Sequence, residues 1–425
     1  MVVQTDGANK RGTPATAKAS LIKDINTAAV LGIVREQEMV SRADIAKTCG
    51  LTPATVSSIV SDLLELGIVR ETGSGTSSGG RKPTMIALNE RAWGAIGLDL
   101  GPRQIHAGIV DLHGKAVHDE IVPLPADRSE AAILGLMDQV TDRLLKWAAS
   151  RSMRMVGLGI GAHGLVDPNA GVSLYAPAFQ WKQVAVREWF NDRYELPVMV
   201  DNDARAMAAG EKWFGAAQQA ESFVFLNVGT GIGSGIYLNG QLLYGAHFGA
   251  GEIGHIPISD DSQEICYCGK RGCLSTFASG PALEKRARIA VRQGADSLLE
   301  QLSAGKPERI TGQLIHQAAM QGDELAVRLL RETGEHIGSA LAMMVNVVNP
   351  DMILIGGGVS EAGEFLFHPI RETVRKEAMA VNTERLSIMP GQLGAVCGVV
   401  GAATLLLQEV FAQPKTYLTR GGTLI

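Results

Sequence analysis

The chain has 425 residues, 46% of them hydrophobic and 20% charged, with a formal net charge of −5. That length exceeds one ordinary core and predicts two or three domains, while the negative balance excludes a protein that binds nucleic acid over its whole surface. No uninterrupted apolar run is long enough to span a bilayer, and the first twenty residues lack the apolar segment of a secretion signal, so a cytoplasmic protein without membrane insertion is expected.

The charge is uneven. Residues 1–82 hold ten Lys or Arg against eight Asp or Glu, and the remainder holds 29 against 36, so any DNA contact belongs to the N-terminal segment. Fifty glycines predict many tight turns and close backbone approaches in an α/β architecture. Three of the five cysteines, Cys266, Cys268 and Cys273, crowd into one loop, whereas Cys49 and Cys397 stand alone in apolar surroundings. That distribution reads as a metal site and two core residues, with no disulfide framework.

Residues 1–20 are small and polar and are expected to form a mobile arm. From 21 to about 90 the pattern is that of a winged helix-turn-helix. Ile22, Ile25, Ala29 and Ile33 recur at helical spacing and are expected to line the buried stripe of a first helix. Ser41 caps a second helix with Asp44 placed to reach back, and Gly50 ends it. Thr52 caps a third, with Pro53 at its first position and Val56, Ile59, Val60, Leu63 and Leu64 as its apolar face. Its exposed side carries Ala54, Thr55, Ser57, Ser58 and Ser61, small residues that let a helix sit deep in a major groove. The stretch "ETGSGTSSGGRKPTMIAL" then reads as a hairpin wing that ends in Arg81 and Lys82. The DNA-contacting set is therefore Ser41, Arg42, Thr52, Ala54, Thr55, Ser57, Ser58, Arg81 and Lys82. A purely structural three-helix cap is the plainer alternative.

From Ala95, "AIGLDLGPRQIHAGIVDLHGKAVHDEIV" predicts three strands in a meander, followed by an amphipathic helix near Ser129 to Ala149. A strand "MVGLGIGAHGLVD" and a strand running into a helix, "VMVDNDARAMAAGEKWFG", complete one cycle. A second cycle opens at "SFVFLNVGTGIGSGIYLNGQLLYG", which predicts a duplicated α/β body with a cleft between two lobes. The first lobe is expected over 91–205 plus 386–410, the second over 206–385 with the cysteine loop and oligomerisation helices, and a C-terminal tail over 411–425.

His255, Cys266, Cys268 and Cys273 place one imidazole and three thiols within nineteen residues, and the glycines of "CYCGKRGC" let the loop fold back on an ion. Four N/S donors without a carboxylate describe a closed, tetrahedral structural zinc site, Zn2+ being the expected cofactor; redox thiols are the alternative. Polyol recognition needs paired donors and acceptors on rigid elements, and Asn202, Asp203 and Glu252 offer them. An ordinary helix-start carboxylate is the plainer reading of Asp203.

Taken together, "VGTGIGSGIYLNGQLLYGAHFGAGEIGH" (Val228 to His255), the cysteine loop and the segment "SRADIAKTCGLTPATVSSIVSDLLELGIVRETG" resemble the ROK family of repressors, open reading frames and kinases, from about Ile22 to about Leu407. The N-terminal segment is similar to the repressor branch, which includes xylose, N-acetylglucosamine and glucose-responsive (Mlc-type) proteins. The resemblance implies a ribonuclease H-like, actin and hexokinase type of two-lobed fold in a homodimer or homotetramer. It implies zinc on His255 and the three cysteines, and sugar on Asn202, Asp203, Glu252 and His255, Asp203 matching the kinase base. The family generally carries Glu two residues after the last cysteine of the loop; this chain has Ser275.

A kinase of this fold needs glycine-rich turns for ATP phosphates. Where ROK kinases show Asp-x-Gly-Gly-Thr, this chain has Asp99, Leu100, Gly101, Pro102 and Arg103: proline removes an amide donor and arginine adds bulk. Gly229 to Gly233 remains acceptable, and Gly356, Gly357 and Gly358 match a stretch that contacts adenosine in kinase relatives. The reading is a repressor of carbohydrate genes that binds operator DNA under control of a sugar or phosphosugar, without catalytic residues. A sugar kinase with an attached DNA-binding domain is the alternative, and control by a protein partner also occurs in the family.

Overall fold

The computed structural model describes residues 19–74, 83–259 and 264–420. Most of the expected arm, the wing residues Arg81 and Lys82 and the last five residues lie outside the described residues. Two compact units divide the chain: the first comprises the residues up to Asn89 with Glu409–Thr419, and the second runs from Glu90 to Gln408 and takes in Arg420.

In the first unit, α1 (Ala19–Glu36), α2 (Arg42–Cys49) and α3 (Pro53–Glu65) accompany a small antiparallel sheet of β1 (Val40–Ser41), β2 (Val69–Ser74) and β3 (Thr84–Leu88), in the order β1-β3-β2. Capping explains the helix boundaries. The Ser41 hydroxyl accepts from the N–H of Asp44, Gly50 closes α2 in the left-handed region at φ 67°, and Thr52 accepts from the N–H of Thr55 ahead of Pro53. Val56, Ile59, Val60 and Leu63 are the buried face of α3, and Ile45, Ile68 and Ile86 are buried in the same unit.

On α1 the buried stripe is Val30, Leu31 and Val34, whereas Ile22 and Ile25 are 49% and 59% exposed. Both sets contain residues three or four apart, so periodicity could not choose between them. The C-terminal stretch also differs from a simple tail: Pro414–Arg420 is helical, and Phe411 and Leu418 are buried. Within this unit the Arg35 guanidinium lies over the Phe411 ring, and Lys23 and Lys415 both meet Asp62.

The second unit holds two five-stranded sheets built on one plan. In the first, β4 (Trp93–Leu100), β5 (Gln104–Asp111) and β6 (Ala116–Pro123) form the meander. Next, β7 (Arg154–Ala162) and β11 (Val198–Asn202) run parallel to β4, giving the order β11-β7-β4-β5-β6. A side sheet of β8 (Leu165–Asp167), β9 (Val172–Ala176) and β10 (Trp181–Val184) lies between them in sequence. In the second large sheet, β12 (Phe223–Val228), β13 (Ile232–Leu238) and β14 (Gln241–Leu242) form the meander, and β15 (Met352–Gly356) and β16 (Ser387–Pro390) run parallel to β12. Its order β14-β13-β12-β15-β16 repeats that of the first. The β16 strand therefore belongs to the second lobe, a correction to the expected boundary at 386: its main-chain bonds go to β15.

Helix Cys397–Ala412 seats on the first sheet through glycine. A Cβ on Gly97 or Gly159 would strike the carbonyls of Val399 and Ala402, so the helix backbone rests directly on the strands. It is the one described helix long and apolar enough to cross a membrane, within the span Gly394–Ala412, and 67% of that window is buried. The core of the first lobe gathers Ile96, Leu98, Ile133, Met137, Leu158 and Ile160, and that of the second Val224, Leu226, Leu330, Ile337, Leu341 and Ile353.

Candidate functional site

In an open α/β sheet, ligands bind beyond the carboxyl ends of the parallel strands. Register brings three of those ends level here, with Leu100 opposite Ala162 and Ala162 opposite Asn202. Asn202 caps helix Asp203–Phe214: its side-chain oxygen accepts from the N–H of Arg205, and its Nδ2 donates to the Gly164 carbonyl at 3.0 Å and to Oδ1 of Asp203 at 2.8 Å. The N–H of Ala204 donates to the same Oδ1 at 2.8 Å. Thus Asn202 and Asp203 are held by the first turn of the helix.

Two further residues at this edge were not expected in the sugar-binding set. His163 directly follows β7, and its Nδ1 stands 3.7 Å from Oδ2 of Asp203. Asp99, on β4, is partly buried, and desolvation together with the charge of Asp203 pushes its carboxyl up to about 7. Burial acts to lower the His163 imidazole, but the neighbouring Asp203 carboxylate, with Glu252 and Asp99 behind, outweighs it and raises its pKa. A polar residue immediately beyond a parallel strand was the available signal for His163.

Arg205, fully buried, is the third unexpected member. Its guanidinium donates to Oδ1 of Asp201 at 2.8 Å, to the Val166 carbonyl at 3.0 Å and to the Phe248 carbonyl at 2.6 Å. It also lies over the Tyr244 ring. The strand end, the side sheet and the loop that leads to Glu252 are thereby tied together.

Glu252 and His255 flank the short turn Ile253–His255. Oε2 of Glu252 is 3.8 Å from Nε2 of His255, and the other ring nitrogen, Nδ1, is 3.4 Å from Sγ of Cys266. Sγ of Cys268 lies 3.6 Å from Sγ of Cys273, and one donor atom from each of the four residues falls within 4.8 Å of all the others. A tetrahedral ion with bonds of about 2.3 Å to sulfur and 2.0 Å to nitrogen sets its donors roughly 3.5 Å apart, so the cluster fits a metal site. Burial pushes the Cys273 thiol up to about 12 and also raises Cys266. Such thiols become thiolates when a cation faces them. Ser275 lies beside Gly254, where a Cβ would come 2.6 Å from its hydroxyl, so this shorter side chain stands next to His255.

The glycine turns also converge. Gly229–Gly231 follows β12 and Gly356–Gly358 closes β15, whose register sets Asn227 opposite Gly356. A Cβ on Gly357 would meet Val228 O and Asn227 Oδ1 at 2.5 Å, which explains glycine at that place. In the first turn, the N–H of Gly101 bonds to Gln104 O, and the Pro102 carbonyl accepts from Arg128.

In the first unit, Thr52, Ala54, Ser57, Ser58 and Ser61 are exposed on α3 and Thr55 partly so. Thr55 pairs its hydroxyl with that of Thr52, and Arg42 pairs with Glu71 at 2.9 Å. Ser41 is buried and its hydroxyl donates to Asp44, so its place is at the cap and away from the exposed face.

A model of the ROK family matches residues 95–409. The chain belongs to the ROK family. A xylose repressor of Caldicellulosiruptor bescii is 32% identical over 396 residues, which cover 93% of this chain and 98% of the relative. A solved ROK family transcriptional regulator, a homolog of the E. coli MLC protein, is 28% identical with a TM-score of 0.81, covering 94% of this chain and all of its own. A ROK glucokinase from Streptomyces griseus, solved with glucose and AMPPNP, is 33% identical with a TM-score of 0.68 over 74% of this chain and 99% of its own. The ROK fold here is thus mixed α/β: an N-terminal helical segment followed by two sugar-kinase-like lobes.

Proposed function

We propose that this ROK protein is a sugar-responsive transcriptional repressor. The observation that carries the reading is the presence, in one chain, of small exposed residues on the second helix of a helix-turn-helix and of a polar cluster at the carboxyl edge of a kinase-like sheet. Ala54, Thr55, Ser57 and Ser58 of α3 enter the major groove of operator DNA, with Arg42, Thr52 and the wing residues Arg81 and Lys82 on phosphates. Asn202, Asp203, Glu252 and His255 bind sugar hydroxyls. His255, Cys266, Cys268 and Cys273 hold Zn2+, which fixes the turn bearing Glu252 and supplies no open coordination position. The similarity to a xylose repressor and to an MLC homolog supports regulation of carbohydrate genes; a cytoplasmic homodimer or homotetramer is part of the same proposal.

A ligand shifts the DNA-binding equilibrium only as far as its affinity differs between the two protein shapes. Operator retention is therefore measured while free sugars and phosphosugars are titrated in; a response to one of them supports the reading, and indifference to all of them overturns it. The similarity to a glucokinase and the intact turn at Gly229–Gly231 favour a second reading, phosphoryl transfer. An ATP-coupled assay over the same sugars separates the two: turnover lost in Asp203→Asn establishes the kinase, and no turnover leaves the repressor.

A further inference from the structure

The two oxygens of the Asp203 carboxylate have different surroundings. Oδ1 is taken by Asn202 and the Ala204 N–H, while Oδ2 faces Nδ1 of His163 at 3.7 Å. A direct hydrogen bond would bring the two to about 2.7–3.2 Å. One hydroxyl oxygen, however, can sit about 2.8 Å from both at once. His163 is fixed for that task. Its N–H donates to the Leu100 carbonyl at 3.1 Å, and its ring meets Phe179 edge-on with centroids 6.0 Å apart. The side chain remains 27% exposed against 15% for Asp203, so the imidazole is the more open of the pair.

The surroundings are rich in acceptors, with Asp99, Asp203 and Glu252 all close enough to act on the imidazole. A sugar hydroxyl is both donor and acceptor, so acceptors alone satisfy half of it. The guanidinium of Arg205 points its donors at Asp201, Val166 and Phe248. His163 adds to these donors an imidazole N–H facing Oδ2 of Asp203.

We propose that His163 contacts the sugar directly and sets its selectivity, its imidazole and Oδ2 of Asp203 gripping one hydroxyl between them. The proposal rests on the reading of this edge as a sugar site and adds to it a residue and a geometry. A hydroxyl held this way gives its proton to Asp203 and engages a lone pair with the imidazole N–H. That lone pair is the one an attack on phosphorus would use, so the contact strengthens binding and opposes transfer.

The test uses the full chain and three probes, D-xylose, D-glucose and N-acetyl-D-glucosamine, titrated calorimetrically into the wild type, His163→Ala, His163→Phe and His163→Gln, with bound metal and melting temperature recorded for each. For a probe that binds the wild type, the two variants without a donor weaken it about tenfold or more, whereas Gln, which keeps an N–H, stays within about threefold. One monodeoxy analogue of that probe loses affinity on the wild type and loses none further on the donorless variants. If His163→Ala does not fold, His163→Phe decides. Donorless variants that bind as tightly as the wild type overturn the role of His163 and leave the sugar site standing; no binding of any probe to the wild type overturns both.

Discussion

Nη1 of Arg205 donates to the carbonyl of Phe248 at 2.6 Å, and Phe248 is held at φ 61°. A bulky residue in the left-handed region is strained and persists only where its surroundings fix it. Here a buried guanidinium does so, while Asp201 neutralises it across 2.6 Å. The loop that leads to Glu252 therefore depends on the charge pair of Asp201 and Arg205.

Removing one member of that pair is expected to be costly. Arg205→Met strands the Asp201 carboxylate in the core, a change worth about 3–5 kcal/mol. Urea unfolding is expected to show that loss, with part of it recovered in the double variant Asp201→Asn/Arg205→Met. Additive costs in the double variant would mean that the two residues do not act as a unit.

Metal content gives a second measurement. The wild type is expected to carry one zinc per chain by elemental analysis, and Cys268→Ser to carry little, with a lower melting temperature. Glu252→Gln alters the group that faces Nε2 of His255 and is expected to weaken metal binding by about 10-fold or more. Unchanged metal affinity in Glu252→Gln would place that carboxylate outside the metal's second layer.

The pH dependence of stability follows from Asp99 and His163. The carboxyl of Asp99 rises from 3.8 to about 7 on folding, so the folded state binds its proton more tightly. Stability from this group is full below the unfolded value and is lost as pH rises to about 7, by on the order of 4 kcal/mol. The imidazole of His163 is also raised, so its contribution is present below 6.5 and is lost as pH climbs through its folded value. The two act in the same sense. Denaturant midpoints of the wild type are expected to fall between pH 5 and 8, and Asp99→Asn to flatten that slope; an equal slope in the variant removes Asp99 from the account.

On α3, Ser58→Glu sets a negative charge on the exposed face without touching the core. Retention of a fragment of the chain's own upstream region is expected to weaken about tenfold or more, with no change in melting temperature. Thr52→Ala removes a helix cap, and about 1 kcal/mol of stability is expected to go with it. Undiminished retention by Ser58→Glu would move the DNA surface elsewhere.

Much of this architecture was legible because its signals are local. Ser41, Gly50, Thr52 and Pro53 mark their helix ends by cap chemistry, and the metal donors lie within one short segment. What was illegible depends on contacts distant in sequence. Arg205 reads as a charge on a helix surface until carbonyls 39 and 43 residues away meet it. His163 gains meaning only when register levels the ends of β4, β7 and β11. On α1, two stripes of equal period compete, and only packing selects Val30, Leu31 and Val34 over Ile22 and Ile25. The β16 strand went to the wrong lobe for a similar reason, since its partner β15 is separated from it by a 3-10 turn and two helices.

The repeated strand order has left two equivalent rims with opposite tolerances. Along the first, Asp99, His163, Asn202 and Asp203 matter for the groups they carry, and swapping one functional group for another is what does damage there. Along the second, Gly356 and Gly357 matter for the groups they lack: a Cβ would meet the Phe225 ring at one, and Asn227 and Val228 at the other, whatever its chemistry. Variation accumulating in this chain is thus filtered by reactivity on one rim and by bare volume on the other.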